Sequence, residues 1–161
     1  MVTNNVTRML DAKGIAYQAF DLPKEKLSAM EAASFLGVEP EKVYKTIVVT
    51  REMRGRPVLA LVPAPQEVDL KGLSQALGEK KVQIAKQKQA EQLTGLQTGG
   101  ISPLALINRR FQVVIDISAQ SQEEIYVSGG QRGLNICLAT EALIELTNAD
   151  VAAISKRYAK G

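Results

Sequence analysis

Histidine is absent from the 161 residues, and cysteine occurs once, at Cys137. Ser-His-Asp and Cys-His catalysis are therefore excluded in their usual forms. A zinc site lacks its usual ligands, and one thiol cannot make an internal disulfide framework. Tryptophan is also absent, and aromatic residues make up only 4% of the chain. No apolar run approaches the roughly 20 residues that span a bilayer. The N-terminus, MVTNNVTRML, lacks the basic stretch and apolar core of a secretory signal. A cytoplasmic location with no membrane partner is the default expectation. Neither GxxxxGK followed by Ser or Thr nor GxGxxG occurs, which removes the common phosphate-cradling motifs. Lysine, hydroxyls, carboxylates and backbone amides remain as chemical tools, and no cofactor or metal is expected.

What is present is ordinary for a globular chain. Apolar residues make up 45%, charged residues 23%, and the net charge is +3. This length fits one domain over residues 1–161 with a sizeable core. Basic residues fall in small groups: Arg51, Arg54 and Arg56; Lys80, Lys81, Lys86 and Lys88; Arg109 and Arg110; Lys156, Arg157 and Lys160. Such groups ordinarily sit on solvated loops and helix ends. Contact with phosphates needs several of them on one surface.

Periodicity and punctuation outline the elements. A helix is expected from about Thr3 to Lys13, stopped by Gly14, and then a strand over 15–20. Ser28 with Glu31 makes a capping box for a helix ending at Gly37. VYKTIVVT (43–50) and PVLALVP (57–63) flank a basic turn and suggest a hairpin. Asp69 caps a helix that ends on Gly78. A strand over 81–85 and a helix over 86–95 follow. TGGISPL (98–104) is a loop, and 111–117, 123–129 and 134–139 are strands. The tail from Thr140 reads as one or two helices, the second capped by Asp150. The order is that of an α/β fold with a mixed, curved, barrel-like sheet and flanking helices.

Three places depart from a plain scaffold. In VYKTIVVT, alternation puts Lys45 on one face with Val43, Ile47 and Val49. A lysine there either snorkels past the sheet edge or pairs with a carboxylate, or it lines a cavity and holds an anion or carbonyl oxygen. In GGISP, the glycines serve a turn, or else let a substrate reach the amides of Gly99, Gly100 and Ile101 as an oxyanion hole. In YVSGGQRGLN, Ser128 ends a strand beside glycines, where polar groups often touch ligands. Alternatively, it only bonds the turn.

These segments, VYKT, GGISPL and YVSGGQRGL, occur in an order and at separations that resemble the YbaK/EbsC family of aminoacyl-tRNA deacylases. That family is related to the editing domain inserted in bacterial prolyl-tRNA synthetases. VDLKGLSQALG followed by KKV adds to the likeness, which runs from about Ile15 to the C-terminal region. The resemblance implies hydrolysis of the ester between a wrong amino acid and tRNA, most often tRNA for proline, with cysteine as the amino acid in the YbaK branch and the synthetase as a partner. It implies that Lys45 positions the 3′ end of the tRNA, with Thr46 beside it. Gly99, Gly100 and Ile101 would approach the scissile carbonyl, and Ser128, Gly129 and Gly130 would line the pocket. Such an ester is already activated, so positioning and oxyanion stabilisation suffice without histidine. In the cysteine-specific branch the substrate's own thiol attacks, and Cys137 is left to packing.

The chain departs from the cysteine-specific pattern in two places. Asn135 stands where an aspartate is expected, and Leu22, Leu27 and Ser28 occupy a stretch expected to carry aromatics. Because these positions line the side-chain pocket, a deacylase for another small amino acid such as alanine fits the same residues. So does a non-catalytic module that binds a nucleotide or a tRNA end.

Overall fold

The computed structural model describes residues 3–52 and 55–158. The basic residues Arg54 and Lys160 lie outside that range. Among the described residues there are five α-helices: α1 (Asn5–Ala12), α2 (Ala29–Leu36), α3 (Leu70–Leu77), α4 (Gln87–Thr94) and α5 (Thr140–Thr147). The strands are β1 (Tyr17–Asp21), β2 (Tyr44–Arg51), β3 (Val58–Pro63), β4 (Gln66–Val68), β5 (Val82–Ile84), β6 (Gln112–Asp116), β7 (Glu124–Ser128), β8 (Leu134–Ala139), β9 (Asp150–Ala152) and β10 (Ser155–Arg157).

A five-stranded sheet, in the order β5-β2-β3-β6-β9, forms the centre. β2 and β3 make the expected hairpin, with Lys45 opposite Val62. β6 and β9 run parallel to their neighbours. Every residue of β3 is buried, as an unbroken apolar run in a sheet covered on both faces requires. On one face Val49, Val58, Ala60 and Val62 pack with Leu73 of α3 and Ile154. On the other, Tyr44, Val48, Leu59 and Leu61 pack against α1, α5 and a three-stranded sheet, β1-β8-β7. Each of these large aliphatic side chains contributes about 1.5–3 kcal/mol by leaving water.

The caps explain the helix bounds. Asn4 and Ser28 both form capping boxes, and Asp69 accepts the N–H of Gly72. Gly37, Gly78 and Gly95 close their helices in the left-handed region.

Two expectations are corrected. The sheet does not close into a barrel. Closure needs a continuous staggered ladder, but among the described residues the central and three-stranded sheets share only one backbone bridge, the parallel one from Val43 to Tyr126. The residues before Val43 are taken up by a 3-10 turn, Pro40–Lys42, and those after it pair with β3 and β5. The second correction concerns Asp150, which caps no helix. It opens β9, and its carboxylate accepts from Gln112. Val151 and Ala152 continue the central sheet beside Ile115 and Asp116, and β10 pairs with β4. The sequence reading omitted β4, a strand of only three residues. Here pairing across the fold outweighs local helix propensity.

Candidate active site

Lys45 stands near the start of β2, on the wall of a cavity of about 300 Å³. Thr46 beside it lines the same cavity, as do Leu22 and Leu27 from the segment before α2. Gly99, Ile101, Ser128 and Asn135 complete the predicted residues that meet there. The structure thus brings together four separate stretches of the chain. Lys45 is half-buried, and its ammonium donates to Ala64 O at 3.3 Å and to the Tyr158 hydroxyl at 2.5 Å. No carboxylate lies within ion-pairing distance of it among the described residues.

Gly100, Gly129 and Gly130 are not on the cavity wall. The N–H of Gly100 goes to Gln97 O at 2.8 Å, which leaves it no free donor for an oxyanion. Gly129 N donates to Leu134 O, and Gly130 N donates to Ser128 Oγ. These glycines instead shape the loops behind the wall. A loop amide turned inward to close a tight turn cannot also face a substrate, and sequence alone does not say which of three successive amides turns in. The N–H groups of Gly99 and Ile101 enter no hydrogen bond among the described residues.

The two loops are tied together. Arg132 Nε donates to Thr98 O at 2.8 Å, and Ser128 Oγ donates to Gly99 O at 3.5 Å. Asn4 Nδ2 reaches from the cap of α1 to Gly129 O at 2.9 Å. Glu91 accepts the N–H of Thr98 at 2.8 Å, and that bond holds its carboxyl below the usual range.

Two polar atoms on this cavity are buried without a partner among the described residues: Thr46 Oγ1 and Asn135 Oδ1. An unsatisfied buried polar atom costs about 1–3 kcal/mol. On residues that line one hollow, two such atoms are suited to a ligand that brings donors.

Cys137 lies elsewhere. It is buried on β8 with Tyr126, Val43 and Ala33, and burial pushes its thiol up to about 11. A larger hollow of about 950 Å³ passes near it, but its rim carries Glu123, Glu124 and Glu141. That acidic rim repels phosphates. Of the basic groups, Arg51 is committed to Glu79 at 2.8 Å and to Gln112, so it belongs to the scaffold.

Sequence reasoning missed Tyr158, which lines the cavity over Lys45. Its signal was an aromatic residue directly after Lys156 and Arg157, hidden by the helix assigned to that tail. Arg132 was also missed, although it stands within the quoted glycine segment.

Residues 24–146 match the model of the aminoacyl-tRNA editing domain family. The chain belongs to that family. It is 37% identical over 155 residues to a candidate Cys-tRNA(Pro)/Cys-tRNA(Cys) deacylase, EbsC, of Enterococcus faecalis, covering 95% of this chain and 93% of that one. It is 32% identical over 108 residues to the proline–tRNA ligase of Thermodesulfovibrio yellowstonii, covering 67% of this chain but only 18% of the ligase. The chain thus spans less than a fifth of that ligase. The fold is shared with a candidate trans-editing enzyme for prolyl tRNA synthetase, at a TM-score of 0.80 and 24% identity, with 97% of this chain and 99% of that one covered. A hypothetical protein superposes at a TM-score of 0.86 and 25% identity, with 95% and 100% covered. Membership in the editing-domain family makes the chain an aminoacyl-tRNA deacylase, an ester hydrolase, as the motif resemblance implied. Among the described residues no helix is long and apolar enough to cross a membrane.

Proposed function

We propose that the chain, acting as one domain, removes a wrong amino acid from tRNA in trans. The proposed substrate is cysteine on tRNA for proline, and the proposed partner is prolyl-tRNA synthetase. The carrying observation is the meeting of Lys45, the free amides of Gly99 and Ile101, and the unpartnered Thr46 and Asn135 atoms on one cavity. The relative from Enterococcus faecalis carries Cys-tRNA(Pro), beside Cys-tRNA(Cys), in its name.

In this reading the Lys45 ammonium exchanges one of its neutral oxygen partners for the terminal phosphate or ribose. The ester carbonyl then lies against Gly99 and Ile101, whose N–H groups stabilise the developing oxyanion. Thr46 Oγ1 and Asn135 Oδ1 accept from the substrate's ammonium group. Leu22 and Leu27 close around the side chain, while Ser128 holds the loops in register. With cysteine, the substrate sulfur attacks the carbonyl carbon as the ester C–O bond breaks. The thiol proton passes to the leaving 3′ oxygen, and water opens the resulting cyclic thioester. No protein nucleophile is required.

The neutral Asn135 and the leucine wall favour a second substrate in the same class, alanine on tRNA for proline, with water as the nucleophile. Deacylation rates on both mischarged tRNAs, for wild type and Lys45→Ala, separate the readings. Wild type is expected to act on the cysteine ester, and Lys45→Ala to lose about a hundredfold. Equal rates for the two proteins would remove Lys45 from the mechanism. Loss of alanine alone would move the specificity. Binding without turnover of any mischarged tRNA would leave a non-catalytic module.

A further inference from the structure

We propose that Tyr158 is part of the substrate-binding surface, its ring stacking on the terminal base of the tRNA and its hydroxyl setting Lys45 at the cavity mouth. This rests on the deacylase reading above. Tyr158 is 54% exposed, whereas Tyr44 and Tyr126 are 2% and 9% exposed in the core. It lines the same cavity as Lys45. The Lys45 ammonium lies 4.9 Å from the centre of its ring and also donates to its hydroxyl. An ammonium has three donors, and those bonded here go to two neutral oxygens, so Lys45 keeps its charge available to an anion beside an open aromatic face.

The placement is built into the fold. β10 pairs with β4 through Arg157 and Gln66, one residue before Tyr158. Ile154 is clamped at both ends: its N–H donates to Asp116 Oδ1 at 2.9 Å, and its carbonyl accepts from Asp69 N at 2.7 Å. The exposed Arg157 adds positive charge in the chain directly before Tyr158, while Lys156 is paired with Glu67 at 3.7 Å. The other exposed aromatic, Phe35 on α2, does not line the cavity. A base leaving a helix end presents a flat face, and an aromatic ring next to a cation is the surface that receives one. Tyr158 lies beyond the residues matched to the family, 24–146.

The test is a cycle of two protein changes and one substrate change. Wild type, Tyr158→Phe and Tyr158→Leu are assayed on mischarged tRNA, complete or lacking only the terminal base. On the complete substrate Tyr158→Leu should raise KM about tenfold, while Tyr158→Phe keeps KM near wild type and lowers kcat. On the substrate without the base, the KM penalty of Tyr158→Leu should vanish. An unchanged KM for Tyr158→Leu, or the same penalty on both substrates, would overturn the stacking role while the deacylase reading stands. No turnover by wild type on the complete substrate would overturn that reading and the inference with it.

Discussion

Gly100 lies so close to Gln131 that a side-chain carbon on the glycine would fall 2.8 Å from Gln131 Cα and 2.9 Å from its carbonyl carbon. The obstruction is backbone, which cannot swing away as a flexible side chain can. Gly100→Ala should therefore push the two cavity loops apart. Overpacking of this kind costs about 1–3 kcal/mol, and a displacement near 1 Å at a reacting centre costs about a hundredfold in rate. Thermal melting with steady-state kinetics checks both. A variant with wild-type kcat would show that the contact is not what sets the amides.

Thr46→Val should separate stability from activity. The hydroxyl is buried and has no partner among the described residues, so replacing it by a methyl group removes a desolvation cost. The melting temperature should hold or rise while kcat/KM for deacylation falls. A fall in both would mean that the hydroxyl is satisfied within the fold.

Asp116 connects the core to the C-terminal strands. It is 3% exposed. Burial pushes its carboxyl up, but bonds from Ser118, Ile154 and Ser155 together outweigh that and leave it below the ordinary 3.8. A carboxyl held low stabilises the fold above its unfolded value and loses that contribution as pH falls through the folded one. The loss should therefore appear below pH 3.8, as a drop in unfolding free energy that Asp116→Ala abolishes. At neutral pH the same variant leaves the N–H of Ile154 without its acceptor, at a cost of about 1–3 kcal/mol.

Cys137 should be silent in the reaction. With its thiol pushed up to about 11 by burial, roughly one molecule in a thousand carries the thiolate at pH 8. Alkylation should proceed in denaturant and stall in the native protein. Cys137→Ala should keep kcat/KM within about twofold. A large loss of activity with an unchanged melting temperature would make Cys137 part of the chemistry.

Much of this architecture was readable because it is written locally. The Ser28–Glu31 box, the Asp69 cap and the terminal glycines Gly37 and Gly78 lie within a few residues of what they stop or start. The hairpin of β2 and β3 could be read from two apolar runs flanking a turn. Lys45 stood out because a charge interrupted one of those runs. Sequence could not show which amide of Gly99, Gly100 and Ile101 turns inward, since that depends on the carbonyl of Gln97 and on the approach of Gln131. The tail was misread for a related reason. Asp150 followed by VAAISKRY has the pattern of a capped helix, and only pairing with Ile115 and Val68, distant in sequence, makes it two strands. Tyr158 disappeared with that misreading.

Residues 22–28, which adopt no regular structure until α2 begins, supply Leu22 and Leu27 to the cavity wall. Main-chain bonds tie this segment at both ends, from Leu22 N to Gly133 O and from Ala32 N of α2 to Ser28 O, each at 2.9 Å. In the proposed reading Leu22 and Leu27 meet the aminoacyl side chain from a strip outside any helix or strand, whereas Lys45 and Asn135 stand on paired strands. Descendants of this sequence could therefore exchange the amino acid they reject by changes in that strip, without passing through an unfolded ancestor.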